Sequence, residues 1–280
     1  MKFEDEESKE LQKQRLERRR QKFSEEARDN ILNSPLRDEA LLSKSTNAGI
    51  ESLVASQDLR EKFLCQLKHK NADQREHGLR KLREIIVSIY DQNKSDRSFV
   101  EQAYEVYKMS YDFYLQKRDF NKVANLVLSF MVTHLPLDMT VEYAEINIIS
   151  LSHVTRDMDM CIRSVRDMAH GSTPSELLNS LLEMSVIYMY QTSSPRRWFK
   201  ILSAFDTESP IYSYVTRSKA FMEMRRRNFE QIAKCYNQIP VGFLIDRWFS
   251  NMITADEVRS LHDFVTTPNG AEVIVFKKRR

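Results

Sequence analysis

Glycine is scarce in this chain: its 280 residues include 5 glycines and 7 prolines. Tight turns, β-bulges and the loops of sheet-rich folds depend on glycine, because it adopts backbone conformations that other residues avoid. The apolar content of 41% is nevertheless enough to bury a core. We therefore expect a folded, mainly α-helical protein.

Apolar residues recur at intervals of three and four from about Leu53 onwards, which is the period of an amphipathic helix. The first such stripe runs from Leu64 to Ile89 and is interrupted by the sequence KHKNAD. In the segment 99–130, tyrosines occupy one face of the first half, QKRD interrupts the pattern, and apolar residues form the facing stripe of the second half. This segment predicts an antiparallel helical hairpin of about 34 residues. Its tyrosines are Tyr104, Tyr107, Tyr111 and Tyr114, and their helical spacing beside an aliphatic helix indicates core packing rather than base stacking.

Further helices are predicted at 141–151, 158–168, 175–190 and 196–204. Thr173 precedes a proline and stands three residues before Glu176, which predicts a capping box for the third of them. Repeated hairpins of this length indicate a helical solenoid of the tetratricopeptide type, although the signature residues of that repeat are absent. We expect this helical-repeat domain to span residues 51–216.

Residues 1–50 combine an acidic opening, the basic run Lys13–Lys22 and a stretch rich in serine and asparagine. Their apolar residues are too sparse to build a core. The composition predicts a charged tail that is largely disordered or forms a single helix. Two interpretations stay open: a solvated tail, or a segment that contacts nucleic acid or directs the protein to the nucleus.

The pattern changes again in residues 217–280. A helix is predicted over Arg217–Tyr236, followed by a short apolar helix at 241–249. Thr254 and Glu257 then form the signature of a capping box for a third helix.

A turn at 266–270 leads into the strand Glu272–Phe276, which we expect to pair with residues near Val265 or around Ile239. Helix, short helix, helix, turn and strand is the order of a winged helix. The sequence therefore predicts a helical solenoid followed by a small C-terminal winged helix.

The net charge of +3 is unevenly distributed, because residues 196–280 carry 15 basic and 9 acidic side chains. Affinity for a polyanion follows the number of phosphates neutralised together. The C-terminal segment is therefore the part of the chain in which contact with nucleic acid is expected.

Helical hairpins that lead directly into such a module resemble the PCI domains of scaffold subunits in the proteasome lid, the signalosome and translation initiation factor three. The resemblance covers roughly residues 100–280. The run from Arg217 through FEQIAKCYNQIPVGFLIDRWF to ADEVRSLHDF is most similar to the Sac and GANP branch, which includes messenger RNA export and transcription-coupled scaffolds. The resemblance implies a PCI-like fold without catalytic residues. It also implies pairing with another PCI or helical-repeat subunit and, in this branch, binding of a small acidic protein and of RNA or DNA.

Carried onto this sequence, the implied nucleic-acid contacts fall on eight basic residues: Arg225, Arg226, Arg227, Arg259, Lys277, Lys278, Arg279 and Arg280. The partner interface is expected at four apolar residues: Phe243, Trp248, Val273 and Val275. Three adjacent arginines on a helix point in different directions, so at least one of them is expected to pair with an acidic neighbour. The terminal KKRR is equally consistent with a nuclear-localisation signal or a solvated tail.

Neither an enzyme nor a metal site is predicted. The six histidines lack the spacing of metal ligands, and the sequence has no phosphate-binding glycine loop and no GxSxG elbow. Cys65, Cys161 and Cys235 are far apart and odd in number, which favours reduced, structural thiols. We expect no catalytic residue, no metal and no cofactor.

The location and function follow from these features. The charged N-terminus does not have the pattern of a secretory signal, and no apolar run is long enough to span a membrane, so we expect a nuclear protein that is also compatible with the cytoplasm. The first hypothesis is a nuclear scaffold that pairs with another PCI-type subunit and holds RNA or DNA in messenger RNA export or transcription-coupled processing. The second is a pure protein adaptor of a lid-like, signalosome-like or initiation-factor-like complex, without nucleic acid.

Overall fold

A computed structural model describes residues 48–170, 173–262 and 264–276, and most of these residues are helical. The prediction of a mainly α-helical protein is confirmed. By its internal contacts the chain divides into two compact units, Met1–Val106 and Tyr107–Arg280. The predicted tail lies outside the described residues, except for positions 48–50. No helix in the described ranges has both the length and the apolar character needed to cross a bilayer.

The described part of the first unit contains three helices and the beginning of a fourth: α1 (Ala48–Ala55), α2 (Gln57–Leu67), α3 (Ala72–Asn93) and α4 (Arg97–Gln116), which continues into the second unit. Ser56 and Asn71 begin α2 and α3, because their side chains accept hydrogen bonds from first-turn N–H groups. The predicted apolar stripe is buried and forms the core of this unit: Leu64, Leu67, Leu79, Leu82, Ile85, Ile86 and Ile89.

Gly78 allows α2 and α3 to pack closely. A Cβ atom at this position would overlap Leu67 Cδ2 and would lie 3.1 Å from Leu67 Cγ. Leu67 is fully buried, so its side chain has little room to move aside. The absence of a side chain at Gly78 is therefore part of the packing of this unit.

In its described residues, the second unit continues with seven helices before the first strand: α5 (120–134), α6 (137–155), α7 (Met158–Met168), α8 (Glu176–Tyr190), α9 (Pro195–Leu202), α10 (Pro210–Arg217) and α11 (Lys219–Cys235). Two of them include π-helical stretches, Val123–Leu128 in α5 and Leu151–Thr155 in α6. The sequence pattern had no signal for these stretches.

The predicted hairpin at 99–130 corresponds to α4 and α5. Tyr107 of α4 stacks on Phe130 of α5 with ring centroids 4.1 Å apart. Tyr107, Tyr111 and Tyr114 are buried and Tyr104 is half-buried. The interpretation of the tyrosine stripe as core is confirmed.

Two predicted helix starts are wrong. Ser175, not Thr173, caps α8, since its hydroxyl accepts a hydrogen bond from Leu178 N–H at 3.2 Å. The predicted helix Arg217–Tyr236 is interrupted at Ser218, which has extended backbone angles. The Ser218 hydroxyl donates to the Val215 carbonyl at 2.7 Å and therefore does not cap α11.

After α11 the chain forms β1 (Gln238–Pro240), α12 (241–248), α13 (Ala255–Arg259), β2 (Phe264–Thr266) and β3 (Glu272–Val275). The strands make one antiparallel sheet in the order β1-β3-β2. In the central strand, Ile274 lies opposite Ile239 of β1 and Phe264 of β2. The sequence predicted either partner for this strand, and the structure pairs it with both. The capping box of Thr254 and Glu257 is confirmed at the start of α13.

Candidate interaction site in the C-terminal module

The segment from α11 to β3, residues 219–276, is called the C-terminal module below. A buried polar contact fixes α12 against α11: Asn228 is fully buried, and its Nδ2 donates to the Trp248 carbonyl at 2.7 Å. Phe249 is also fully buried, with its ring centroid 4.9 Å from that of Phe229 and 5.0 Å from that of Phe199 in α9. The module is therefore held to the preceding helices by an aromatic core.

Side chains alternate between the two faces of the sheet. One face carries Ile239 and Ile274, which are buried. The other face carries Val273 in the central strand and its cross-strand neighbour Val265, which is 53% exposed. An apolar side chain of the edge strand β2 is thus presented to solvent.

The two edges of the sheet differ in their capacity to bind another strand. The β1 edge includes Pro240, which has no N–H to donate. Thr267 N–H donates to the Ala271 carbonyl at 2.9 Å, so the backbone groups of Thr267 face the β3 side. Alternate residues of an antiparallel strand direct their backbone groups the same way, and Val265, two residues earlier in β2, therefore also faces β3. The N–H and C=O of Thr266 consequently point to the free edge. The β2 edge is therefore the better template for an added strand.

The four predicted interface residues differ in their exposure to solvent. Phe243 is 46% exposed and Val275 is half-buried, so both are accessible to a partner. Trp248 and Val273 are buried within the module, where they contribute to folding instead of offering a surface. Sequence reasoning missed Leu261 as an exposed apolar residue, along with Val265.

The three adjacent arginines of α11 each have a carboxylate partner. Arg225 is largely buried, and its Nη1 lies 3.5 Å from Glu257 Oε1 in α13. Arg226 forms an exposed ion pair with Glu230, one turn further along the same helix. The expectation that at least one of these arginines pairs with an acidic neighbour is confirmed for all three.

Arg227 is the most constrained of them. It pairs with Glu223, donates to the Tyr188 carbonyl at 2.8 Å, and lies over the Tyr188 ring at 5.1 Å. The Tyr188 hydroxyl in turn donates to Glu223 at 2.7 Å. This guanidinium holds α11 against α8 and has little freedom to contact a phosphate.

Arg259 joins α13 to the central strand. Its Nη2 donates to both Glu272 oxygens at 2.9 and 2.7 Å, and its Nη1 donates to Asp256 at 2.7 Å. These hydrogen bonds, first with Glu272 and then with Asp256, raise the pKa of Arg259. The four predicted nucleic-acid-binding arginines thus meet carboxylates of the same chain. The other four basic residues, Lys277, Lys278, Arg279 and Arg280, lie outside the described residues.

Histidine, cysteine and acidic side chains are the usual metal ligands of proteins, and many of them lie in the part of the chain that the structure describes. No group of three or more histidine, cysteine or acidic residues there is placed to hold a metal ion. All three cysteines are free thiols, and burial raises the pKa of Cys161. A raised pKa disfavours the thiolate that nucleophilic chemistry requires.

No protein-family model matches the chain, and comparisons with curated proteins and with solved structures find no similar chain. The resemblance to PCI proteins therefore rests on the sequence pattern alone.

Proposed function

We propose that this chain is a non-enzymatic scaffold subunit that pairs with another PCI-type subunit through its C-terminal module. The order helix, strand, helix, helix, strand, strand, with the sheet order β1-β3-β2, supports the assignment of this module as a winged helix. Helical hairpins precede it, as in the PCI domains that the sequence resembles. In this proposal, the hairpins form the solenoid and the winged helix provides the docking surface.

The free edge of β2 is the observation that carries the proposal. Thr266 directs its backbone N–H and C=O away from β3, and the neighbouring Val265 side chain is exposed. Main-chain hydrogen bonds to such an edge supply affinity, and adjacent apolar side chains supply specificity. A partner strand would satisfy the edge and cover Val265 in one step.

The ion pairs of the module favour the adaptor form of the hypothesis over RNA or DNA binding at the predicted arginines. A phosphate at Arg225, Arg227 or Arg259 would have to displace a carboxylate that already occupies the guanidinium. Acidic side chains next to a guanidinium also repel a polyanion. The setting that the resemblance implies, messenger RNA export or transcription-coupled processing in the nucleus, does not require this chain itself to hold nucleic acid.

Affinity capture followed by mass spectrometry tests the proposal with two variants of one residue. Thr266→Pro removes the outward N–H without removing a hydrogen bond to β3, and Thr266→Val is the matched control that keeps the N–H. We expect the wild type and Thr266→Val to retain a second subunit with helical hairpins and a winged helix, and Thr266→Pro to lose it. Equal capture by both variants would refute docking at this edge.

A nucleic-acid measurement separates the two hypotheses. The purified chain, alone and with its captured partner, is mixed with RNA or DNA at about 50 mM salt, where backbone-driven binding is strong. The adaptor proposal predicts no retention. Retention that is lost on replacing Arg225 and Arg259 with glutamine would instead support the nucleic-acid hypothesis.

A further inference from the structure

The second unit contains a basic cleft that is separate from the β2 edge. Its cavity has a volume of about 540 Å³, within the range of pockets that hold small molecules. Four basic residues line it: Lys117, Arg118, Arg156 and Lys219. They come from the turn after α4, the end of α6 and the start of α11. About 24 Å of helix separates the start of α11 from the strand that follows it.

The two carboxylates that line the cleft already have partners within the chain. Asp119 and Glu223 both line the cavity. Asp119 lies 3.3 Å from Lys122 Nζ, and Glu223 is held by Arg227 and by the Tyr188 hydroxyl. Neither Lys122 nor Arg227 lines the cavity. The two negative charges are therefore engaged by cations that do not line the cavity.

Two of the lining cations, in contrast, have no carboxylate partner among the described residues. In the described ranges, Arg118 and Lys219 have no ion pair with any carboxylate. Arg156 is 3.8 Å from its nearest carboxylate oxygen, on Glu223, and its side chain is 64% exposed. Arg118 and Lys219, together with the exposed Arg156, thus give the cleft positive charge that the described carboxylates neutralise only in part.

Backbone donors add to this charge. The start of α11, at Lys219 and Ala220, forms part of the lining, and no side chain caps this helix of 17 residues. First-turn N–H groups without a cap, together with the positive end of the helix dipole, favour an anion.

Two of the arginines also occupy backbone conformations that their side chain does not favour. Arg118 has φ of 55° and Arg156 has φ of 59°. Glycine and asparagine are preferred in this left-handed region. Arg118 and Arg156 therefore line the same cleft at two positions where local preference alone would select a different residue.

We propose that the basic cleft binds a small molecule that carries two or more phosphate groups. Guanidinium groups and a helix N-terminus are donors that match phosphate oxygens. Several cations surround a single cavity here, which suits a compact polyanion better than an extended nucleic-acid backbone. This proposal does not rest on the scaffold function, and the capture experiment with Thr266 variants leaves the cleft unchanged.

Titration calorimetry with inorganic tripolyphosphate at about 50 mM salt tests the proposal on the full chain. The variants are Arg118→Asn, Arg156→Asn and Lys219→Gln; asparagine is chosen because it tolerates the left-handed conformation. Lys234→Gln, at the other end of α11, is the matched control. Circular dichroism verifies that each variant keeps its helicity and melting temperature.

We expect one-to-one binding that weakens about tenfold for each cleft cation removed and is unchanged in Lys234→Gln. Tripolyphosphate should protect the amides of residues 117–121 and 218–223 from hydrogen exchange. Absence of binding would overturn the proposal, and so would equal weakening by Lys234→Gln. A single-stranded RNA of 12 nucleotides is titrated in parallel. The proposal would also be overturned if the cleft variants weakened RNA binding while tripolyphosphate did not compete with the RNA.

Discussion

Replacing Asn228 with aspartate is expected to make the stability of the C-terminal module depend steeply on pH. The Asn228 side chain is fully buried, donates to the Trp248 carbonyl at 2.7 Å, and has no partner for its own Oδ1. A protonated carboxyl can donate the same hydrogen bond, whereas a carboxylate cannot. The folded state will therefore hold the new carboxyl in its neutral form.

The magnitude follows from the difference in pKa between the two states. Burial raises the folded-state pKa of the carboxyl above its unfolded value of about 3.9. Arg225, one turn earlier, does not offset this effect, because its guanidinium is already engaged by Glu257. Above about pH 4 the unfolded state releases the proton and the folded state keeps it, so unfolding becomes easier by about 1.4 kcal/mol for each pH unit. A folded pKa near 7 would give a loss of about 4 kcal/mol at neutral pH, and little loss at or below pH 4.

Asn228→Ala is the comparison variant. It leaves the Trp248 carbonyl unpaired, which we expect to cost about 1–3 kcal/mol at every pH. Urea unfolding followed by tryptophan fluorescence at several values between pH 4.5 and pH 8 gives both free energies relative to the wild type. A deficit of Asn228→Asp that stays constant, or that shrinks as the pH rises, would refute the role assigned to this contact.

Two further pairs of substitutions test the packing and the ion pairs. Gly78→Ala should destabilise the chain by about 1 kcal/mol, because crowding against Leu67 outweighs the gain in helix propensity. The Cβ of Gly242→Ala meets no atom within 4 Å, so this variant should be neutral or stabilising by up to about 1 kcal/mol. Thermal denaturation measures both changes in stability, and the reverse order would contradict the packing described for Gly78. Arg227→Gln should lower the free energy of unfolding by about 2 kcal/mol, because it breaks a partly buried network. Arg226→Gln should lower it by less than about 0.5 kcal/mol, because its ion pair is exposed. Equal losses of stability in urea unfolding would show that the network does not hold α11.

Much of the helical part of the fold could be predicted from the sequence, because amphipathic spacing depends on the chain alone. The burial of Tyr107, Tyr111 and Tyr114 follows from that spacing. The break at Ser218 does not, since a serine hydroxyl can cap the next helix or bond to the preceding turn, and local sequence does not decide between them. The strands β1 and β2 have three residues each, too few for alternation to be read. Their extended conformation depends on pairing with β3.

In the candidate site, some ion pairs could be predicted from the sequence and others depend on the fold. The pairs of Arg226 with Glu230 and of Arg227 with Glu223 are four residues apart on one helix, a spacing visible in the sequence. Arg259 reaches Glu272 only because α13 and β3 are brought together by the fold. The basic cleft is likewise assembled from separate turns and helix ends, which explains why no sequence motif indicated it.

Site-specific photocross-linking at position 265 tests the central claim, that the β2 edge is the docking surface. A photoreactive residue is placed at Val265, 53% exposed, and for comparison at Val87 in the first unit, 55% exposed. The account predicts that the probe at 265 cross-links in cells to one protein, identified by mass spectrometry as a subunit with a winged helix, and that the probe at 87 does not. Cross-linking to RNA at 265, or the same products from both positions, would contradict it.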